Sequence, residues 1–396
     1  MKKTAFLLHF LAILSSIAVA QIRSEDNIVG SKVLIQSGVL KQEREIQVYL
    51  PDSYASSEKT FPVLYLLDGQ RYFLHGVSIQ KTFAEFRQSP DFIVVGVSKL
   101  PSDRNRNYSS NSTNYLNFIK SEVIKYVDSS YRTSKDRILF GWAFAGGFVI
   151  ETLIKEPDLF SSYIAASPFP LSGKIKKIDS LIQVNTVLEN LLFFTSGANE
   201  GSVKEGTSEL NKLLIANAER TPNWKFEELQ GEVHRSTPFT TLYRGIKHHF
   251  DFYPELQFNS LEEFIDAGGL PFVYDYYRKR ASKYGFSSDL TDWTMFSLVR
   301  NAIRANSFSH FEQLHNEFNP TGYFERLRES RACTIADFYL KNQKTDEARE
   351  LFLKVLELYP ASERACQGIG NSYQAEEKEE MARKYFQKAE ELVKGN

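Results

Sequence analysis

A chain of 396 residues is long for one domain and comfortable for two. Apolar residues make up 42% and aromatics 14%, enough to fill a large core, while a formal net charge of −1 with no long basic cluster gives no electrostatic reason to expect nucleic acid or an anionic membrane as partner. Two cysteines, Cys333 and Cys366, exclude a disulfide scaffold, and no spacing suits a metal; buried free thiols are the expectation, with a single disulfide as the alternative in an oxidising compartment.

The first residues read as an export signal over 1–20. Lys2 and Lys3 form a basic n-region, Ala5 to Ala20 is mostly apolar, and Ala18-Val19-Ala20 supplies an A-x-A cleavage site before Gln21. The apolar stretch is short for a membrane anchor, and no later uncharged run approaches the roughly 20 residues of a span. The mature protein is therefore expected to be soluble and exported: periplasmic in a Gram-negative source, secreted otherwise.

Val33-Leu34-Ile35 and Ile46 to Pro51 read as strands joined through Ser37-Gly38. Phe61 to Gly69 is a nearly all-apolar strand entering a glycine turn, and Phe92 to Val97 is another; such runs suit strands covered on both faces. Asn111-Ser112-Thr113-Asn114 is placed to cap a helix whose stripe is Tyr115, Phe118, Ile119, Val123, Ile124 and Val127. Ile138 to Trp142 is a strand followed by a helix from Gly147. Ser162 to Ser167, Leu191 to Gly197 and Lys225 to Leu229 are further strands, with a helix over Ser208 to Asn217. Strands alternating with helices predict an α/β domain with a mainly parallel sheet over residues 21–255.

Beyond about residue 255 only helix-like, aromatic-rich segments follow. Residues 256–325 form a helical connector, and 326–396 contain a repeat. Ala332, Ala336, Tyr339, Ala348 and Phe352 recur as Cys366, Gly370, Tyr373, Ala382 and Phe386, and Pro360 closes the first copy. The offset from 332 to 366 is the tetratricopeptide period, with small residues where paired helices touch and an aromatic at the turn. Two such repeats bury little alone, so they are expected to stack on the connector.

The most informative stretch is Gly141-Trp142-Ala143-Phe144-Ala145-Gly146-Gly147. Strand, small-residue turn and helix form the setting of the nucleophile elbow, G-x-S-x-G, of α/β-hydrolases. Here Ala145 replaces the second glycine and Ala143 occupies the nucleophile position, where a methyl group cannot attack a carbonyl. In chain order an acid and a histidine should follow. Glu200, after the Leu191 to Gly197 strand, is the candidate acid; His234, after the next strand, is the candidate base. His248 and His249 lie in a helix-like run and are expected at the surface. Backbone N–H groups near Gly69 or Gln70, paired with that of Phe144, are candidate oxyanion donors. No metal or cofactor is expected.

Over Val33 to Phe250 the chain resembles the putative-esterase family of α/β-hydrolases, which includes enterochelin esterases and S-formylglutathione hydrolases. The resemblance rests on Val48-Tyr49-Leu50-Pro51, Phe61 to Gly69, Val95-Gly96-Val97, Arg104 to Ser109, Tyr131-Arg132-Thr133, Pro157 to Phe160, Ile164 to Pro168, and the Gly197…Glu200 and His234 segments. It implies the roles given above for Glu200, His234, Gly69, Gln70 and Phe144, and a carboxylic-ester substrate such as a siderophore lactone or acyl sugar. Esterase-like proteins with tetratricopeptide tails also occur.

Three explanations of Ala143 compete: a deliberate knockout, which the complete export signal disfavours; natural loss leaving a ligand- or partner-binding protein on the esterase fold; and direct activation of water by His234 and Glu200. An exported esterase of weak or no activity is the first expectation, and a binding pseudoenzyme the alternative. The tail suits a protein partner in either case. Asn107-Tyr108-Ser109 and Asn111-Ser112-Thr113 match the glycosylation sequon, which matters only in a eukaryotic secretory pathway.

Overall fold

The computed structural model describes residues 23–100, 104–184, 190–221 and 223–394, so the expected export signal lies outside the described residues. Eight strands form one sheet: β1 (Ser31–Ser37), β2 (Gln42–Tyr49), β3 (Phe61–Leu67), β4 (Ile93–Val97), β5 (Thr133–Trp142), β6 (Ser162–Ala166), β7 (Leu191–Gly197) and β8 (Trp224–Leu229). Their order is β1-β2-β4-β3-β5-β6-β7-β8. The β1–β2 and β2–β4 pairs are antiparallel, and every pair from β4 to β8 is parallel. This is the mainly parallel sheet the alternating pattern predicts.

The period-two geometry of a strand explains the continuous apolar runs. In β3, Val63, Tyr65 and Leu67 point into one core layer, and Leu64 and Leu66 into the other. The first layer is closed by a helix running through Ser112–Phe118, Ile119–Ile124 and Lys125–Ser130 (α2), and by α3 (Phe144–Lys155), α4 (Ser172–Gln183) and α5 (Ser202–Ala216). The second is closed by α1 (Gly69–Glu85) and α6 (Thr237–His249).

Several sequence expectations need correction. The polar stretch before α2 does not cap it: the Asn111 side chain bonds Nδ2 of Asn114 rather than a backbone N–H. The helix expected from Ser208 starts at Ser202. Neither α1 nor α4 was anticipated. Most plainly, His249 is buried, and its Nε2 lies 3.1 Å from Asp136 Oδ2. Burial raises the Asp136 carboxyl, but attraction and hydrogen bonding from His249, with a bond from Ser161, hold it at about 2.

Helices account for the rest of the fold: α7 (Leu261–Asp266), α8 (Gly269–Tyr284), α9 (Asp292–Arg304), α10 (Phe308–Phe318), α11 (Glu329–Lys341), α12 (Thr345–Leu358), α13 (Glu363–Ala375) and α14 (Glu379–Lys394). Ser260, Thr291 and Ser362 cap α7, α9 and α13 with side-chain oxygens. The repeat residues Ala332, Ala336, Ala348 and Phe352 share one apolar core with Val299 and Phe311 of the preceding helices and with Phe258, just before α7. Both cysteines are buried and free, as expected. The helices join the sheet domain through α8, where Lys283 Nζ donates to the His249 carbonyl at 2.6 Å and Arg280 Nε to that of Tyr253 at 3.0 Å. No helix among the described residues is long and apolar enough to cross a membrane.

Candidate active site

The carboxyl ends of the parallel strands gather the candidate residues, the usual place for ligands in such sheets. β5 ends at Trp142 and α3 begins at Phe144, leaving Ala143 as the whole turn. It adopts φ 56° and ψ −116°, a backbone conformation L residues rarely occupy. Packing imposes it. A Cβ on Gly141 would sit 2.5 Å from the Ala145 carbonyl oxygen, and one on Gly147 would sit 2.4 Å from that of Phe169. Ala143 N–H donates to Ala166 at 2.9 Å, and its carbonyl accepts from Gly147 and Phe169 at 2.9 and 3.0 Å. The turn is thus an elbow in geometry as well as in sequence, with a methyl group at its apex.

Glu200 follows β7 and its side chain is only 3% exposed. Its carboxylate accepts from the Gly197 N–H at 2.6 Å, from Ser167 Oγ at 2.9 and 2.8 Å, and from His234 Nδ1 at 2.6 Å. Burial pushes the Glu200 carboxyl up, but bonds from His234, Gly197 and Ser167 more than offset this and hold it below the ordinary value. A carboxylate can only accept, so the proton of neutral His234 sits on Nδ1, leaving Nε2 to accept a proton from a partner.

The histidine loop is fixed from two further directions. Trp142 Nε1 donates to the His234 carbonyl at 2.9 Å, and the two rings pack with centroids 4.8 Å apart. Thr237 Oγ1 lies 3.1 Å from the same carbonyl and 2.7 Å from Ser167 Oγ. The sequence reading missed Ser167 and Thr237. Ser167 was findable in principle: it directly follows β6, beside the elbow strand, where site residues collect in parallel sheets.

The candidate oxyanion donors lie on neighbouring strand ends. β3 pairs with β5 through Leu66 and Phe140, which sets the starts of α1 and α3 side by side. The N–H groups of Gly69, Gln70 and Phe144 belong to the first turns of these helices and have no intrahelical acceptor. The Gln70 side-chain oxygen is already engaged by the Lys99 N–H at 3.2 Å. Asp68, which opens α1 with φ 55°, is fully buried and accepts from Tyr108 Oη at 3.2 Å.

A family model described as "Putative esterase" matches residues 37–261, more than half of the chain. The chain belongs to this esterase family. A tetratricopeptide-repeat model matches residues 332–362 and 363–392. This esterase-family chain is 24% identical over 233 residues to the ferri-bacillibactin esterase BesA of Bacillus subtilis, across 49% of the chain and 80% of that protein. Its fold is similar to an IroE-like serine hydrolase of Shewanella oneidensis, with TM-score 0.54, 23% identity, and coverage of 72% of this chain and 98% of that one. An uncharacterised protein of Capnocytophaga ochracea aligns across 91% of this chain and 93% of its own, with TM-score 0.51 and 14% identity.

Proposed function

We propose that the chain is an exported, ester-binding member of the esterase family that has lost efficient hydrolysis together with its nucleophile. The observation that carries this reading is the pairing of His234 with a buried Glu200 at 2.6 Å beside an elbow whose apex is Ala143. In a serine hydrolase a histidine so oriented takes the proton of the elbow hydroxyl, and oxyanion donors receive the charge that develops on the carbonyl oxygen. Here Ala143 would occupy the nucleophile position, Glu200 the acid and His234 the base, with Gly69, Gln70 and Phe144 supplying N–H donors. Such a site still binds an ester and polarises its carbonyl without forming an acyl-enzyme.

The names of relatives, a ferri-bacillibactin esterase and a siderophore hydrolase of Aspergillus nidulans among them, favour a siderophore-type or other carboxylic ester as ligand. Export rests on the sequence of residues 1–20. The tetratricopeptide region adds a surface for a protein partner.

The test is hydrolysis of 4-nitrophenyl acetate and butyrate by the protein and by Ala143→Ser. Turnover by the variant alone supports the reading. Turnover by the unmodified protein that is lost in His234→Ala overturns it in favour of direct water activation.

A further inference from the structure

Trp142 carries a second ring contact besides His234. The guanidinium of Arg71 lies over its indole, with Cζ 5.8 Å from the ring centroid. The indole therefore packs against both the imidazole of the candidate base and a cation on the first turn of α1, next to Gln70. Arg71 is exposed and has no ion pair among the described residues. A guanidinium held against an aromatic ring keeps its planar fork of donors available, and that fork matches a carboxylate in two-point geometry.

Exposed apolar side chains stand on the same helices and loop as this cation, together with exposed Gln70 and Arg235. Leu74, one helical turn from Arg71, is 64% exposed. Val233, which precedes His234, is 66% exposed, and Phe239 of α6 is 47% exposed with its ring 5.3 Å from that of His75 on α1. Scattered exposed apolar groups are ordinary. These lie on the two helices and the loop that frame the site, as does a positive charge without an ion pair among the described residues.

We infer that Arg71 is an anion-selecting contact of this site, and that the ligand is a carboxylic ester bearing a carboxylate on an apolar or aromatic body. The inference rests on the ester-binding reading and deepens it by naming the charge of the ligand. The carboxylate pairs with Arg71, the apolar body covers Leu74 and the neighbouring surface, and the ester carbonyl faces the first-turn N–H groups.

The experiment is calorimetric titration of the unmodified protein with 4-acetoxybenzoate and with methyl 4-acetoxybenzoate, which share ring and acetyl ester and differ in one negative charge. The anion is expected to bind about tenfold more tightly at low salt, and the advantage to shrink as salt rises. Arg71→Gln should remove the difference, and Arg71→Lys should keep part of it. In the Ala143→Ser background the ratio of kcat/KM for the two esters should fall in parallel when Arg71→Gln is added, with circular dichroism and melting curves checking the fold. Equal binding of the two probes, no binding of either, or a preference that survives Arg71→Gln overturns the inference. If Ala143→Ser hydrolyses 4-nitrophenyl acetate while the Arg71 variants leave the preference intact, the ester site stands and the anion contact falls. If Ala143→Ser is inert while an Arg71-dependent preference persists, the reverse holds.

Discussion

Ser167 Oγ lies within hydrogen-bonding distance of both oxygens of Glu200, at 2.9 and 2.8 Å, and does so with a φ of 43° in a fully buried position. It holds the carboxylate that orients His234. In the Ala143→Ser background, Ser167→Ala should lower kcat for 4-nitrophenyl acetate about tenfold with little change in KM, because one of three donors fixing Glu200 is lost. Glu200→Gln should cost about 10³ to 10⁴ in kcat, since the imidazole then loses its orientation and tautomer. Steady-state kinetics decide both; an unchanged kcat in Ser167→Ala would remove Ser167 from any positioning role.

Ala143 has a conformation suited to glycine and a side chain with no chemistry. A buried Ala→Gly change ordinarily costs stability through the lost methyl and the freer unfolded chain, about 1 kcal/mol or more. At φ 56° and ψ −116°, relief of backbone strain of about 1–3 kcal/mol offsets that loss. Ala143→Gly is therefore expected to be as stable as the parent or up to about 1 kcal/mol more stable by urea denaturation. A loss above about 1 kcal/mol would show that the turn is unstrained.

Much of this was legible in sequence, for identifiable reasons. Unbroken apolar runs such as Phe61 to Leu67 marked the buried strands, because both faces of a parallel sheet must be covered. The small residues Gly141, Ala143, Ala145, Gly146 and Gly147 marked the elbow, because the carbonyls of Ala145 and Phe169 leave no room for a side chain at Gly141 or Gly147. Chain order picked out Glu200 and His234, and the fold brings them together. What escaped were contacts between residues far apart in sequence. His249, in a helix-like run, is expected at the surface from sequence, yet it is buried against Asp136 of β5, a strand far earlier in the chain. Ser167 stands in the Ile164 to Pro168 segment, but nothing in that segment pairs it with Glu200. Periodicity tells which face is buried; it does not tell which polar groups meet there.

A pH dependence follows from the helical region. His315 is buried, its Nδ1 is 2.7 Å from Tyr323 Oη, and burial, with a contribution from nearby Lys354 opposed by Glu325, lowers it to about 4. In the unfolded chain it titrates near 6.5. Above that pH the ring is neutral in both states and stability is full. Between about 6.5 and 4 only the unfolded chain takes up the proton, so stability should fall, by roughly 3 kcal/mol from this group. Below about 4 it contributes no further change. Denaturant melts of the parent and His315→Gln across this range should show a shallower acid slope in the variant; parallel slopes would contradict the assignment.

Gly368 tests packing against propensity. It sits inside α13, where alanine is favoured by about 1 kcal/mol. A Cβ there would lie 2.3 Å from Cζ of Phe352, whose ring is fully buried. Gly368→Ala is therefore expected to destabilise the chain by about 1–3 kcal/mol despite the better helix former. A more stable variant would mean that the repeat interface yields easily.

The contacts that shape the elbow have a genetic consequence. Gly141 and Gly147 are required by the Ala145 and Phe169 carbonyls, and the Ala143 amide and carbonyl are tied to neighbouring backbone. Selection for folding alone therefore maintains the turn, whether or not any ester is ever cleaved. Alanine codons differ from one set of serine codons by their first base. A gene for this chain therefore stands one point mutation from placing a hydroxyl in a turn already built to hold it.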